Sequence, residues 1–416
     1  MNSILDAGRF HLRMHQVTQH KHVRSIAEFL VVAICTVAFA LNVAGICATL
    51  LTDNYAGARD FVTYWSSGQQ LARHANPYDG QAILRLEHTV GFSAGLSPLI
   101  MRNPPPSLLV VLPLGILGIR AASLLWSVMM LASLWLSVRM IAAMHERRKS
   151  LLNYLAYTFA PVLSCLIAGQ MALFVLLGLT FFLRLHRTYP LLAGASLWLC
   201  FLKPHLFLPF GVVLLAWIIV SRCYRILLGA AIAFGLSTLL VAVMDRFAWV
   251  HYAQMMRAAK IDTAVIPCVS MMLRLMVSPN SAWLQYLPAA LACVWAIAYF
   301  RRHRDDWDWM EHGSLLMLVS VVVAPYSWFM DQAVLLPALL HALYQNRSRS
   351  LVAILALASA VIEIANFRGV PLGNSILYPW TALVWLAWYL YTVRRARPDA
   401  AAKAEIGPAI NMSTAS

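Results

Sequence analysis

Apolar runs interrupted by short polar clusters give this chain its pattern. They cover roughly residues 27–51, 121–144, 151–168, 171–185, 190–203, 204–220, 226–244, 282–300, 313–325, 332–345, 350–366 and 378–393. A transmembrane helix needs about 20 apolar residues. Several runs are shorter, so their helices are expected to extend into the interface. The stretch 107–118, SLLVVLPLGILG, is too short to span, carries Pro113 and Gly115, and follows three prolines. It reads as a helix lying in the interface or dipping into it. The first run is too long for the apolar region of a cleaved signal peptide and reads as a retained span. The pattern predicts an all-α integral membrane protein of about 12 transmembrane helices, with juxtamembrane helices in its first outer loop.

Lysine and arginine set the orientation, because they collect in cytoplasmic loops. With the N-terminus inside, the inner segments hold 21 of the 32 basic residues, and every short inner loop has some. The remaining 11 lie outside, mostly in two long loops. A crossing at 107–118 would place the cluster His145 to Ser150 outside and invert everything downstream. The expected organisation is a cytoplasmic tail over 1–26, a polytopic domain over 27–393 and a cytoplasmic tail over 394–416. The outer face carries long loops at 52–120 and 245–281 and short segments centred on Gly169-Gln170, Lys203-Pro204, Pro325 to Asp331 and Arg368 to Pro379.

Composition narrows the function classes. The chain is 61% hydrophobic and 12% charged, against about 45–50% and about 25% in soluble domains. A soluble enzyme, a disordered chain and a nucleic-acid-binding domain are excluded together. The net charge of +15 sits in loop clusters rather than one patch and is a topology signal. The inner loops leave no room for a nucleotide-binding domain, and neither a Walker-type Gly-Lys-Ser/Thr loop nor GxGxxG occurs, which argues against an ATP-driven pump. The seven cysteines form no CxxC pair and no metal-ligand spacing.

The polar residues with chemical potential gather at the outer ends of the runs. The first outer loop opens with RDFVTYWSSGQQLARHANPYD, residues 59–79. Asp60 is either an interfacial carboxylate capping a juxtamembrane helix or a general base kept basic by partial burial. Tyr64 and Trp65 are interface anchors or substrate contacts. Lys203 lies in FLKPHLF, where an unpaired charge would cost about 2.5–3.5 kcal/mol at mid-membrane. It either snorkels to the interface or clamps an anionic group. In a purely structural role, its replacement by Met should be neutral or stabilising. His205 stands beside it as a second donor or a structural histidine. Arg257, Lys260 and Arg274 of the second long loop are candidate phosphate or headgroup contacts, or simply a solvated basic face. Asp331 is a second acidic site residue or a helix N-terminal charge favoured by the dipole. Glu363, in an apolar run, reads as functional with no partner named.

Four of these features stand in a recognisable order: DFxxYWxxGxxL…xNPYD, Asn103-Pro104-Pro105-Pro106 leading to Pro113-Leu114, Gly169-Gln170 opening a span, and Leu202-Lys203-Pro204. Together, over about residues 45–345, they resemble glycosyltransferase family 87. The resemblance implies a GT-C fold and an enzyme that uses polyprenyl-phosphate sugars; the family includes mannosyltransferases that build phosphatidylinositol mannosides. It implies an inverting transfer of mannose or a similar hexose to an extracytoplasmic lipid or glycan acceptor, at the outer face of the cell's inner (plasma) membrane. Asp60 matches the family's acidic residue, the catalytic base. Lys203, His205 and Arg274 would bind the donor phosphate, and Tyr64, Gln170 and Asp331 the sugar or acceptor. The expected partners are the donor, the acceptor and the lipid bilayer, with no nucleic acid. No cofactor is expected and no metal, since a divalent ion usually takes several oxygen ligands. One departure bears on the sugar. Some mannosyltransferase members carry a histidine pair after Ser-Trp, whereas Ser327-Trp328 is followed here by Phe329, Met330 and Asp331. Two rival classes are a lipid-linked-sugar flippase or transporter, and a non-catalytic membrane scaffold that would tolerate loss of Asp60 and Lys203.

Overall fold

In a computed structural model, residues 36–52, 58–92, 97–258, 268–346, 348–367 and 379–406 are described, with single positions 33, 55 and 266. The described residues are mainly helical, and no strand occurs among them. The helices are α1 (Thr36–Thr52), α2 (Arg59–Ala72), α3 (Gly80–Thr89), α4 (Leu108–Gly115), α5 (Ile119–Met144) and α6 (Tyr154–Tyr157). There follow α7 (Ala160–Ala168), α8 (Ala172–Leu185), α9 (Pro190–Cys200), α10 (Leu208–Val220), α11 (Tyr224–Met244) and α12 (Ala248–Ala258). The last are α13 (Val269–Val277), α14 (Leu287–His303), α15 (His312–Val322), α16 (Leu336–Gln345), α17 (Arg349–Phe367) and α18 (Thr381–Ile406).

Two of these, α5 and α11, are each long and apolar enough to cross a membrane, and the bent pair Leu151–Tyr157 and Ala160–Ala168, which meets at 43°, makes a third if taken together. The other apolar helices are shorter, so the twelve expected crossings are not matched helix by helix. The cause is local. Helices α9, α10, α15 and α16 stop or start short of their apolar runs at one end, where α7 and α8 also meet, because Gly169, Pro204 and the segment 325–331 interrupt the backbone. A proline there has no N–H to continue the helical ladder. Apolar side chains nevertheless face outward. Leu227, Leu228, Ile232, Leu236, Leu239, Leu240 and Val243 are exposed on α11, an apolar surface of the kind that lipid covers.

Helix α5 measures the depth of the bundle. Near its start, the Trp126 indole donates to Gly169 O at 2.7 Å. Beyond its end, His145 Nε2 meets His341 Nδ1 at 2.9 Å. About 29 Å of helix separates the two contacts at 1.5 Å per residue, close to the ~30 Å hydrocarbon core. The His145 end also holds the Arg187–Asp308 ion pair at 3.1 Å and the Tyr344–Asn153 hydrogen bond at 2.5 Å. Between the ends, Asn42 of α1 donates to Glu363 of α17 at 3.3 Å, which gives that buried carboxyl a partner.

The segment 107–118 folds as the eight-residue α4, too short to cross, and packs on α2. The approach is so close that a Cβ on Gly115 would fall 2.0 Å from the Gly68 carbonyl oxygen. Glycine at both positions lets the two backbones touch, and this seats α2, with Asp60 in its first turn, on the bundle.

Candidate active site

Five stretches distant in sequence converge at the Trp126 end of α5: the first turns of α2, the 101–104 loop, the α7–α8 junction, the Lys203 turn and the Trp328–Asp331 turn. Gly169 closes α7 in the left-handed conformation at φ 73°, and its carbonyl takes the Trp126 indole proton. A Cβ there would meet the Phe61 Cβ at 2.4 Å, so only glycine serves both the turn and the contact with α2. The next residue, Gln170, is buried and accepts a hydrogen bond from the Tyr64 hydroxyl at 3.1 Å. Tyr64 stands one turn beyond Asp60 on α2, so both side chains share a helix face.

Lys203 forms the buried centre. Its side chain is 6% exposed, and Nζ lies 2.5 Å from Asp331 Oδ1, whose carboxylate is wholly buried. The other oxygen, Oδ2, accepts the Trp328 backbone N–H at 2.9 Å. Asp331 thus sits in the first turn of a 3₁₀ helix, Phe329–Leu335, with both oxygens engaged. The last helix braces this turn: Trp385 donates to Gln332 Oε1 at 2.9 Å, and Gln332 donates to Thr381 at 2.8 Å. Lys203 is therefore paired and does not carry the cost of an isolated charge in FLKPHLF. The acid that neutralises it lies 128 positions away, and loss of the lysine would strand a buried carboxylate rather than relieve a burial cost.

Asp60 differs from Asp331 in every respect that matters for proton transfer. Its carboxylate is half-buried and makes no hydrogen bond or ion pair among the described residues. Burial pushes its pKa up from 3.8 to about 6; the Lys203 ammonium opposes the rise, the Asp331 carboxylate adds to it, and Arg59 pulls it down. The same interactions put Asp60 within electrostatic reach of the Lys203–Asp331 pair. Arg59 itself is turned toward Glu87 at 3.4 Å and the Ser97 carbonyl.

The remaining candidates separate. His205 stacks on Tyr326 with ring centroids 3.8 Å apart. Arg274 is buried, its Nη1 donating to Gln285 Oε1 at 2.9 Å, and Gln285 in turn donates to the Pro325 carbonyl at 2.7 Å. Arg274 thus braces the chain just before Tyr326. Arg257 is exposed at the end of α12, and Lys260 lies outside the described residues. Asn103 donates to the Leu202 carbonyl at 2.7 Å, while its own carbonyl accepts from Tyr78 at 2.9 Å, so the Asn-Pro-Pro-Pro stretch is moored to the Lys203 turn. Its neighbour Arg102 is half-buried and acts electrostatically on the Tyr326 hydroxyl, a relation that the sequence alone does not show. Its only signal there is its place beside that motif.

The sequence model of glycosyltransferase family 87 matches residues 102–325, more than half of the chain. The chain belongs to glycosyltransferase family 87. No curated protein and no solved structure matches it. The matched segment carries Gln170, Lys203, His205 and Arg274; Asp60 and Asp331 lie outside it and join the site through the fold. The protein is a helical membrane glycosyltransferase, and its reaction needs a sugar donor and an acceptor.

Proposed function

We propose that this glycosyltransferase moves one hexose, mannose or a similar sugar, from a polyprenyl-phosphate carrier to a lipid or glycan acceptor, with inversion at the anomeric carbon. The observation that carries the reading is the contrast between two neighbouring carboxylates. Asp331 is saturated by Lys203 and the Trp328 N–H, whereas Asp60 has no partner among the described residues and a pKa near that of a working base, about 6. The acceptor hydroxyl oxygen attacks the anomeric carbon as its proton passes to Asp60. The bond from that carbon to the phosphate oxygen breaks, and polyprenyl phosphate departs with the electron pair. Lys203 keeps N–H groups beyond the one held by Asp331 and turns them toward the leaving phosphate. Gln170, fixed by Tyr64, takes sugar hydroxyls.

The Asp60 end faces outward in this reading. The support is the division of basic residues, with Arg147, Arg148 and Lys149 at the opposite end of α5. Single cysteines in a cysteine-free background check it: an impermeant reagent on intact cells should label position 74 and leave position 148 untouched. The reverse pattern would turn the site toward the cytosol. The reaction itself is tested by giving membranes that contain the protein a panel of radiolabelled polyprenyl-phosphate sugars. Label should enter lipid or glycan with one donor; no transfer from any of them would remove the donor class.

A further inference from the structure

The Lys203–Asp331 pair raises a question of charge. A phosphate ester arriving at this site is an anion, and the cation expected to meet it is already matched by a buried carboxylate 2.5 Å away. Asp60 adds a negative charge nearby. Lys203, Asp331 and Asp60 together carry a net charge of about −1 when ionised, which repels phosphate. Another cation has to offset that charge.

Arg102 meets the requirement. It is half-buried and makes no hydrogen bond or ion pair among the described residues, so its five N–H donors have no protein acceptor there. Its place is set by neighbours rather than by its own contacts. Asn103 ties the backbone beside it to the Leu202 carbonyl, directly before Lys203, at 2.7 Å. On the other side, the guanidinium lies within electrostatic reach of the Tyr326 hydroxyl, and Asp331 reaches the same hydroxyl. Tyr326 carries the His205 ring stacked at 3.8 Å, and His205 Nε2 is buried without a hydrogen-bond partner. Tyr326 is thus the point that these segments share: the His205 ring stacks on it, and the Arg102 guanidinium and the Asp331 carboxylate both act on its hydroxyl.

We propose that Arg102 and His205, with Tyr326 between them, form the subsite that binds the phosphate of a polyprenyl phosphate, and that Arg102 supplies its net positive charge. The planar guanidinium offers two parallel N–H groups to two phosphate oxygens. Lys203 contributes N–H donors next to the breaking bond, and Asp331 holds it there. The inference rests on the donor reading above and assigns the residue on which that donor's affinity depends.

The test separates the two. The intact protein in nanodiscs is titrated with farnesyl phosphate and with farnesol. The parent should prefer the phosphate, and the preference should shrink as salt rises. Arg102→Gln should weaken farnesyl phosphate binding about 10- to 100-fold while leaving farnesol binding unchanged, as expected for loss of a charge-assisted contact. Arg102→Lys should fall between, because it keeps the charge in another shape. Arg102→Gln binding farnesyl phosphate as the parent does would overturn the subsite and leave the transferase reading intact. A parent that does not prefer phosphate over farnesol would overturn both. Should Arg102→Gln lose farnesol as well, Arg102→Lys decides: a retained, weakened phosphate preference supports the subsite, and a lost one removes it.

Discussion

Asp60→Asn should lower sugar transfer by about 10²–10⁴-fold while donor binding is largely kept. Asparagine preserves the shape and some hydrogen bonding but cannot accept the acceptor's proton. The neighbouring carboxylate cannot replace it, because Asp331 gives one oxygen to Lys203 and the other to the Trp328 N–H. The pH profile carries a second signature. With a pKa of about 6, Asp60 is the working carboxylate above that pH, so transfer should level off there and fall about tenfold per unit below it.

Stability should move the other way. A carboxyl whose pKa rises on folding binds its proton more tightly in the folded state. Its contribution is therefore favourable at low pH and is lost as pH climbs from 3.8 through about 6. At neutral pH the ionised group costs on the order of 1–3 kcal/mol, and Asp60→Asn relieves it. A variant that is at least as stable as the parent, binds donor and does not transfer is what a general base at this position requires. Transfer near the parent level would place the base elsewhere.

Much of this site can be read along the chain because motifs mark where helices break. Gly169-Gln170, Lys203-Pro204 and the Asn-Pro-Pro-Pro stretch all stand at interruptions of apolar runs, and the fold gathers them at one end of α5. Pairings between them are not legible in this way. Nothing local in FLKPHLF indicates a carboxylate 128 positions away, and nothing in Asn103 names Leu202, 99 positions on. The same limit applies to Glu363, whose partner Asn42 lies on the first helix. Arg102 does not stand out in the sequence from the other outer-face cations, since its value lies in being unengaged where Lys203 is paired. Helix lengths escape the sequence for a related reason. An apolar run continues through a break whose residues are themselves apolar or small, so twelve runs do not translate into twelve uninterrupted helices.

The Lys203–Asp331 pair should produce the largest change in stability. Lys203→Met leaves a wholly buried carboxylate without its counter-ion, a loss of about 3–5 kcal/mol in comparable buried pairs. Asp331→Asn leaves the ammonium stranded and should also destabilise, though less, because the amide is neutral and its oxygen still accepts from one of the two donors, Lys203 or the Trp328 N–H. In the double variant Lys203→Met/Asp331→Asn both charges are gone, and the amide introduced at position 331 retains an acceptor for the Trp328 N–H. The double variant should therefore be more stable than Lys203→Met alone, which means a positive coupling of about 0.5–3 kcal/mol in a double-mutant cycle. Activity should not follow stability. The double variant regains its fold without regaining an N–H donor beside the leaving phosphate, so transfer stays depressed although the protein is sound. Unfolding in detergent and transfer from the active donor measure the two quantities on one set of samples. If Lys203→Met unfolds like the parent, the two side chains do not depend on each other in the folded protein. If the double variant transfers normally, the lysine serves the fold alone, and the charge that meets the donor must come from Arg102.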